Sequence, residues 1–174
     1  MNVKELLPDS AKITGILAAD IAMAKPEFIE KILLLAFSET KQYSMRAANT
    51  IEIIDSRLPE LIKPYYEKII QHIPTSNIDG VKRCLLKIFT RHLKFKNEET
   101  LCALLNLCFD SISSPTESLA VKIYAIDIVY QISNKEPDLK NELILAITDQ
   151  LDKNSVAFAN RGNKILKKLY KETR

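Results

Sequence analysis

The sequence predicts an all-helical protein built as a stack of antiparallel helical hairpins, and three observations carry that expectation. Only three glycines occur, Gly15, Gly80 and Gly162, and six of the seven prolines (Pro8, Pro26, Pro59, Pro74, Pro115, Pro137) stand where a helix would start or stop. Such punctuation leaves long helix-compatible stretches. Three segments also open alike: Pro26-Glu27-Phe28-Ile29, Pro59-Glu60-Leu61-Ile62 and Pro137-Asp138-Leu139, with Asn97-Glu98-Glu99-Thr100-Leu101 as a version without proline. Proline loses no hydrogen bond at the first helical position, and an early carboxylate meets the positive end of the helix dipole. Finally, these openings recur after 33 residues and then after 78, two steps of 39. A helix restarted at nearly constant period is the mark of a repeat stack, and stacks bind more often than they transform.

Helical periodicity runs almost unbroken and predicts nine helices, over 9–24, 26–38, 42–57, 59–73, 78–94, 97–113, 116–133, 137–151 and 154–171. No strand-like alternation competes with it. The joints, at Lys25, Thr40, Leu58, Pro74 to Asn77, Phe95-Lys96, Ser113 to Pro115, Lys135-Glu136 and Asp152-Lys153, are short enough to force antiparallel neighbours. Taken in pairs the helices make four hairpins and a last single helix, read as one domain over residues 1–174. Pro64 breaks the punctuation rule, five residues after Pro59. It removes a backbone bond, so the fourth helix is kinked or begins only near Ile62.

Apolar residues at 47% and charged residues at 27% are those of a folded soluble chain with a substantial core. A formal charge of +3 is too small to imply a polyanion partner by itself. Cys84, Cys102 and Cys108 are odd in number, sit within apolar helical patterns and show no CxxC spacing, so they read as reduced core thiols of a cytoplasmic protein. Residues 1–8 carry no apolar stretch fit for a signal peptide. The richest apolar run, Ile32 to Phe37, is six residues, against roughly 20 needed to span a bilayer. No membrane partner is expected.

A second periodic signal supports the hairpins. A cation falls near the start of successive first helices, at Arg46, Arg83, Lys122 and Arg161, with spacings of 37, 39 and 39. The stretches Met45 to Ile53 and Val121 to Val129 share a small-residue, apolar texture suited to an inner packing helix. With these features the chain resembles the HEAT and armadillo-like repeat family over most of residues 10–171. The resemblance implies a right-handed α-solenoid of HEAT-like hairpins, with a basic residue on each first helix and a groove lined by the second helices. Outward residues of those helices would then face a ligand: Glu30, Lys31, Lys63, Glu67, Lys68, Gln71, Asn106, Asp110, Asn141 and Gln150. Each is equally readable as ordinary solvated surface.

The sharpest charge feature is Lys82 to Lys96, with six cations and no acid. Arg83, Lys87, Arg91 and Lys94 fall within a helical stripe about 80° wide, with Val81, Leu85, Ile88 and His92 opposite. A second basic face joins Arg161, Lys164, Lys167, Lys168, Lys171 and Arg174. Solvated helix faces and an end cap explain both; a surface that tracks nucleic-acid phosphates without reading bases explains them too. Asp138, Glu142, Asp149 and Asp152, with only Lys140 between them, make the preceding helix acidic and able to pair across the hairpin.

Catalytic signatures are weak. His72 and His92 fall at helix ends, where the dipole favours a cation, and neither has a ligand at metal spacing. GxSxG, P-loop, GxGxxG and HExxH patterns do not occur. Asp127, inside an apolar run, is an acid/base candidate if partly buried, or else pairs with a neighbouring cation. The chain is similar in repeats and basic surfaces to the HEAT-like alkylpurine DNA glycosylases, which use a carboxylate beside tryptophans. It contains no Trp, and its nearest aromatic pair, Tyr65-Tyr66, neighbours only Glu67. The expectation is therefore a non-catalytic scaffold without cofactor or metal that binds another protein through its groove, the alternative being sequence-independent nucleic-acid binding.

Overall fold

The computed structural model describes residues 2–92, 95 and 97–173, and among these no strand occurs. The chain divides into two compact units, Met1–Ile88 and Phe89–Arg174.

In the first unit, a turn of 3-10 helix over Val3–Leu6 is capped reciprocally by Asn2 and Glu5. Helices follow at Lys12–Ala24 (α1), Glu27–Ala36 (α2), Lys41–Arg57 (α3), Tyr66–His72 (α4) and Asp79–Ile88 (α5). α3 lies against α1, α2 and α5. It can do so because it turns Ala47, Ala48, Ile51 and Ile54 inward while α1 presents Ala18, Ala19 and Ala22, all buried. Small side chains let two helix backbones approach closely, and the larger Ile32, Leu33 and Phe28 of α2 fill the remaining core.

The second unit holds α6 (Glu98–Ser113), α7 (Leu119–Ile132), α8 (Leu139–Gln150) and α9 (Val156–Glu172). α7 is its central helix, in contact with α6, α8 and α9, and buries Val121, Ala125, Ile126, Ile128 and Val129. Asn97 caps α6 by accepting the Glu99 N–H, and Ser155 caps α9 by accepting from Phe158. Gly162 lies where α9 crosses α8. A Cβ there would come within 2.9 Å of Ile147 Cγ2 and 3.1 Å of Leu151 Cδ2.

The nine expected helices all occur, with several boundaries moved for physical reasons. α1 begins at Lys12 rather than at residue 9, because the Asp9 carboxylate accepts from the Ala11 N–H and the Thr14 hydroxyl and so stands outside the helix. Pro59 opens only a 3-10 turn, Pro59–Leu61, and a second turn, Lys63–Tyr65, delays α4 to Tyr66. Pro64 has no N–H to give the Glu60 carbonyl, so the chain closes shorter bonds, Ile62 N–H to Pro59 O and Tyr65 N–H to Ile62 O, both 2.9 Å. The delay is longer than the start near Ile62 that the sequence suggests. α7 and α8 start three and two residues past the expected 116 and 137.

The largest difference is at α5. The expected helix over 78–94 ends at Ile88, and Phe89, fully buried, begins a turn that carries Arg91. No glycine or proline marks this stop. Lys94, Lys96 and Arg174 lie outside the described residues.

Gly162→Ala is expected to destabilise the protein by about 1–3 kcal/mol, since the β-branched Ile147 cannot swing clear as a flexible chain end would. A urea midpoint indistinguishable from that of the parent would refute the close approach of α8 and α9.

Candidate functional site

The four cations in register begin the site. Arg46, on α3, donates from Nη1 to the carbonyls of Leu7 and Pro8 at 3.0 and 2.9 Å and from Nε to Ser10 Oγ at 3.3 Å, pinning the segment that leads into α1. Lys122, on α7, is only 2% exposed; its ammonium donates to Asn154 Oδ1 at 2.7 Å and lies 5.8 Å from the centre of the Phe158 ring. Burial lowers its pKa, opposed by the charge of Glu117. Arg161, on α9, donates twice to Asp127 Oδ1, at 3.1 and 2.5 Å. Asp127 is thus fastened to a guanidinium and is no free acid or base. Arg83, on α5, forms no ion pair among the described residues.

A second regularity joins these helices. Asp20 of α1 pairs with Arg57 of α3 at 2.7 Å, Glu52 of α3 with Lys87 of α5 at 3.0 Å, and Asp127 of α7 with Arg161 of α9 at 2.5 Å. In each, an acid on one odd-numbered helix meets a cation on the next. The separations of 37, 35 and 34 residues match the repeat length, a signal present in the sequence that a search for cations alone overlooks.

The expected basic stripe is accordingly not one face. Lys87 is bound to the buried Glu52 carboxylate, Arg91 has left the helix, and Lys94 is not described. On α9, Lys164, Lys167, Lys168 and Lys171 are all exposed. Lys168 lies 5.3 Å from the centre of the Tyr130 ring. The pairing expected between an acidic α8 and a basic α9 runs the other way, since Lys140 of α8 binds Glu172 of α9 at 3.0 Å. Tyr130 also donates to Glu172, at 2.7 Å. The bonds from Tyr130 and Lys140 hold the Glu172 carboxyl below its ordinary pKa, and the bond to Glu172 raises that of Tyr130.

Of the residues expected along a groove of second helices, Glu30, Lys31, Lys63, Glu67, Lys68, Gln71, Asn106, Asp110 and Asn141 are exposed. Several have local partners: Lys63 binds Glu60 at 2.6 Å, Gln71 donates to Glu67 at 3.4 Å, and Lys31 and Lys68 lie over the rings of Phe28 and Tyr65. Gln150 is 5% exposed and is not surface at all. It donates to Asp149 at 2.8 Å and accepts from Asn154 at 3.0 Å, bracing the residue that holds Lys122.

The clefts are lined by other residues. One of about 300 Å³ opens between α1, α3 and α5, with Ser10, Lys12, Asn49 and Arg83 about its rim and Leu7 and Cys84 beneath. Another, of about 530 Å³, runs between α8 and α9 beside Lys167, Tyr170 and Lys171.

Little of this is arranged for chemistry. Among the described residues no group of three or more His, Cys, Asp or Glu is placed to hold a metal ion, and no helix is long and apolar enough to cross a membrane. Cys84 and Cys108 are buried, which raises both thiol pKa values and keeps them protonated, whereas Cys102 is exposed and does not belong to the core as expected. Tyr66 is buried and donates to Asp55 at 2.7 Å, so the Tyr65-Tyr66 pair forms no open aromatic site. His92 follows a turn rather than closing a helix. His72 ends α4, but it stacks on Phe37 with ring centres 4.1 Å apart, and burial lowers its pKa from the ordinary 6.5, so the neutral form is favoured over the expected cation.

A chain helical throughout its described residues, with ion pairs between successive odd-numbered helices of each unit at separations of 34 to 37 residues, has the organisation of a helical-repeat protein. The HEAT repeat domain family matches residues 9–169, nearly the whole chain, and the protein belongs to that family. A search of curated proteins and one of solved structures each return no match.

Removing one partner of the Asp127–Arg161 pair, half-shielded from water, is expected to cost about 1–2 kcal/mol. Asp127→Ala and Arg161→Ala combined should cost clearly less than their separate effects together, and simple additivity in a double-mutant cycle would refute the contact. At His72 the unfolded chain takes up a proton first as pH falls below about 6.5, so stability should decrease in that window. His72→Gln should flatten the decrease when urea midpoints at about pH 7.5 and 5.5 are compared.

Proposed function

We propose that this chain is a non-catalytic binding module that engages another protein. The observation that carries the reading is the internal use of its cations. Arg46, Arg57, Lys87, Lys122, Lys140 and Arg161 are bound to groups of the protein itself, and the exposed even-numbered helices carry both signs of charge. A mixed surface on a rigid scaffold suits a protein partner better than a uniform polyanion. Family membership supports this, since HEAT repeats commonly mediate protein association and are generally non-catalytic. The match runs over residues 9–169, which supports reading 1–174 as a single domain of four hairpins and a closing helix. Free, unbridged cysteines fit a cytoplasmic setting.

The even-numbered helices and the turn before α4 remain the proposed contact surface through Glu30, Lys31, Lys63, Glu67, Lys68, Gln71, Asn106, Asp110 and Asn141, all exposed. A second reading, sequence-independent nucleic-acid binding, rests on the four exposed lysines of α9.

Affinity capture from the native host, with and without nuclease, separates the two. The protein-binding reading expects the same proteins in both arms. Loss of every captured protein after nuclease, together with duplex DNA binding that weakens steeply with salt, would replace it with the second.

A further inference from the structure

We propose that the cleft between α1, α3 and α5 receives a carboxylate-bearing segment of a partner protein, with Arg83 meeting the carboxylate; this rests on the protein-binding reading above.

Arg46 is committed to the carbonyls of Leu7 and Pro8, Lys122 to Asn154 and Arg161 to Asp127, each at 3.0 Å or less. Arg83 occupies the same register on α5, is exposed, and forms no ion pair among the described residues. It opens instead onto a cleft of about 300 Å³, at the lower end of ligand-sized cavities and enough for one or two side chains.

The charge of the cleft is one-sided. Lys12, Arg46 and Arg83 line it against one acid, Asp9. The Asp9 carboxylate is already engaged by the Thr14 hydroxyl at 2.6 Å and the Ala11 N–H at 2.8 Å, bonds that lower its pKa further. With both bonds made within its own segment, it is not placed to neutralise Arg83. A guanidinium presents two parallel N–H donors in the geometry of a carboxylate. Asn49 and Ser10 add polar groups on the rim, and the buried Leu7 and Cys84 make an apolar floor, with the exposed Met45 at its edge. A cationic rim over an apolar floor fits the carboxylate and methylenes of a glutamate better than a bare inorganic anion.

The test titrates the full chain with an end-blocked hexaglutamate peptide, with hexaglutamine and inorganic phosphate as comparison probes. NMR follows the backbone and arginine Nε–H signals. Hexaglutamate is expected to shift signals of Ser10, Lys12, Asn49, Gly80 and Arg83, and hexaglutamine to leave them unmoved. Arg83→Gln should weaken binding about tenfold, Arg83→Lys should keep part of it, and Lys135→Gln, at an exposed site outside the proposed surfaces, should change nothing. Far-UV circular dichroism checks that each variant is folded.

The proposal is overturned if Arg83→Gln binds hexaglutamate as tightly as the parent, if the shifts map to α9, or if phosphate binds as well as the peptide. If the nuclease-treated capture retains the same proteins with the parent and with Arg83→Gln, the cleft proposal fails while the scaffold stands. If neither retains any protein, the broader reading fails and takes this one with it.

Discussion

Close approach between odd-numbered helices is the constraint on which most of this structure depends. In the first unit α3 lies against both α1 and α5, and its inner face sets the small Ala47 and Ala48 beside Ile51 and Ile54, where larger side chains throughout would hold the backbones apart. That closeness brings Asp20 within reach of Arg57 and Glu52 within reach of Lys87. It also commits α3 to polar burial: Thr50 returns its hydroxyl to the Arg46 carbonyl, Ser44 bonds Ser38, and Asp55 accepts from Tyr66. Buried polar groups with partners constrain the register of two helices more tightly than apolar contact does, because a slip of one turn would strand them.

Where residues act alone or with near neighbours, the sequence was a good guide. Helix count and order followed from apolar spacing and from proline and acid at the openings, and the repeat from the recurrence of both. What escaped was decided by groups distant in sequence. The end of α5 at Ile88 carries no breaker and coincides with the burial of Phe89. The delay of α4 to Tyr66 was foreshadowed by Pro64, but its extent depends on two successive 3-10 turns.

The candidate surfaces were less legible than the fold. A lysine on a helical stripe looks the same in sequence whether it faces water or a carboxylate thirty-five residues away, and Lys87 proved to be the second kind. Gln150 looked solvated by its polarity, yet it sits beneath Asn154 as part of the support for a buried ammonium. Amphipathic pattern reports which face is apolar. It does not report which polar residues are already satisfied within the protein.

The stretch from Pro59 to Thr75 has a consequence of another kind. It is assembled from three 3-10 turns and a seven-residue helix, whereas α3 beside it runs seventeen residues without a break. Short-turn bonds are geometrically poorer, and few of them reinforce one another. Amide hydrogens there should therefore trade for deuterium well before those of α3, which makes this segment the first part of its unit to open on the timescale of hours.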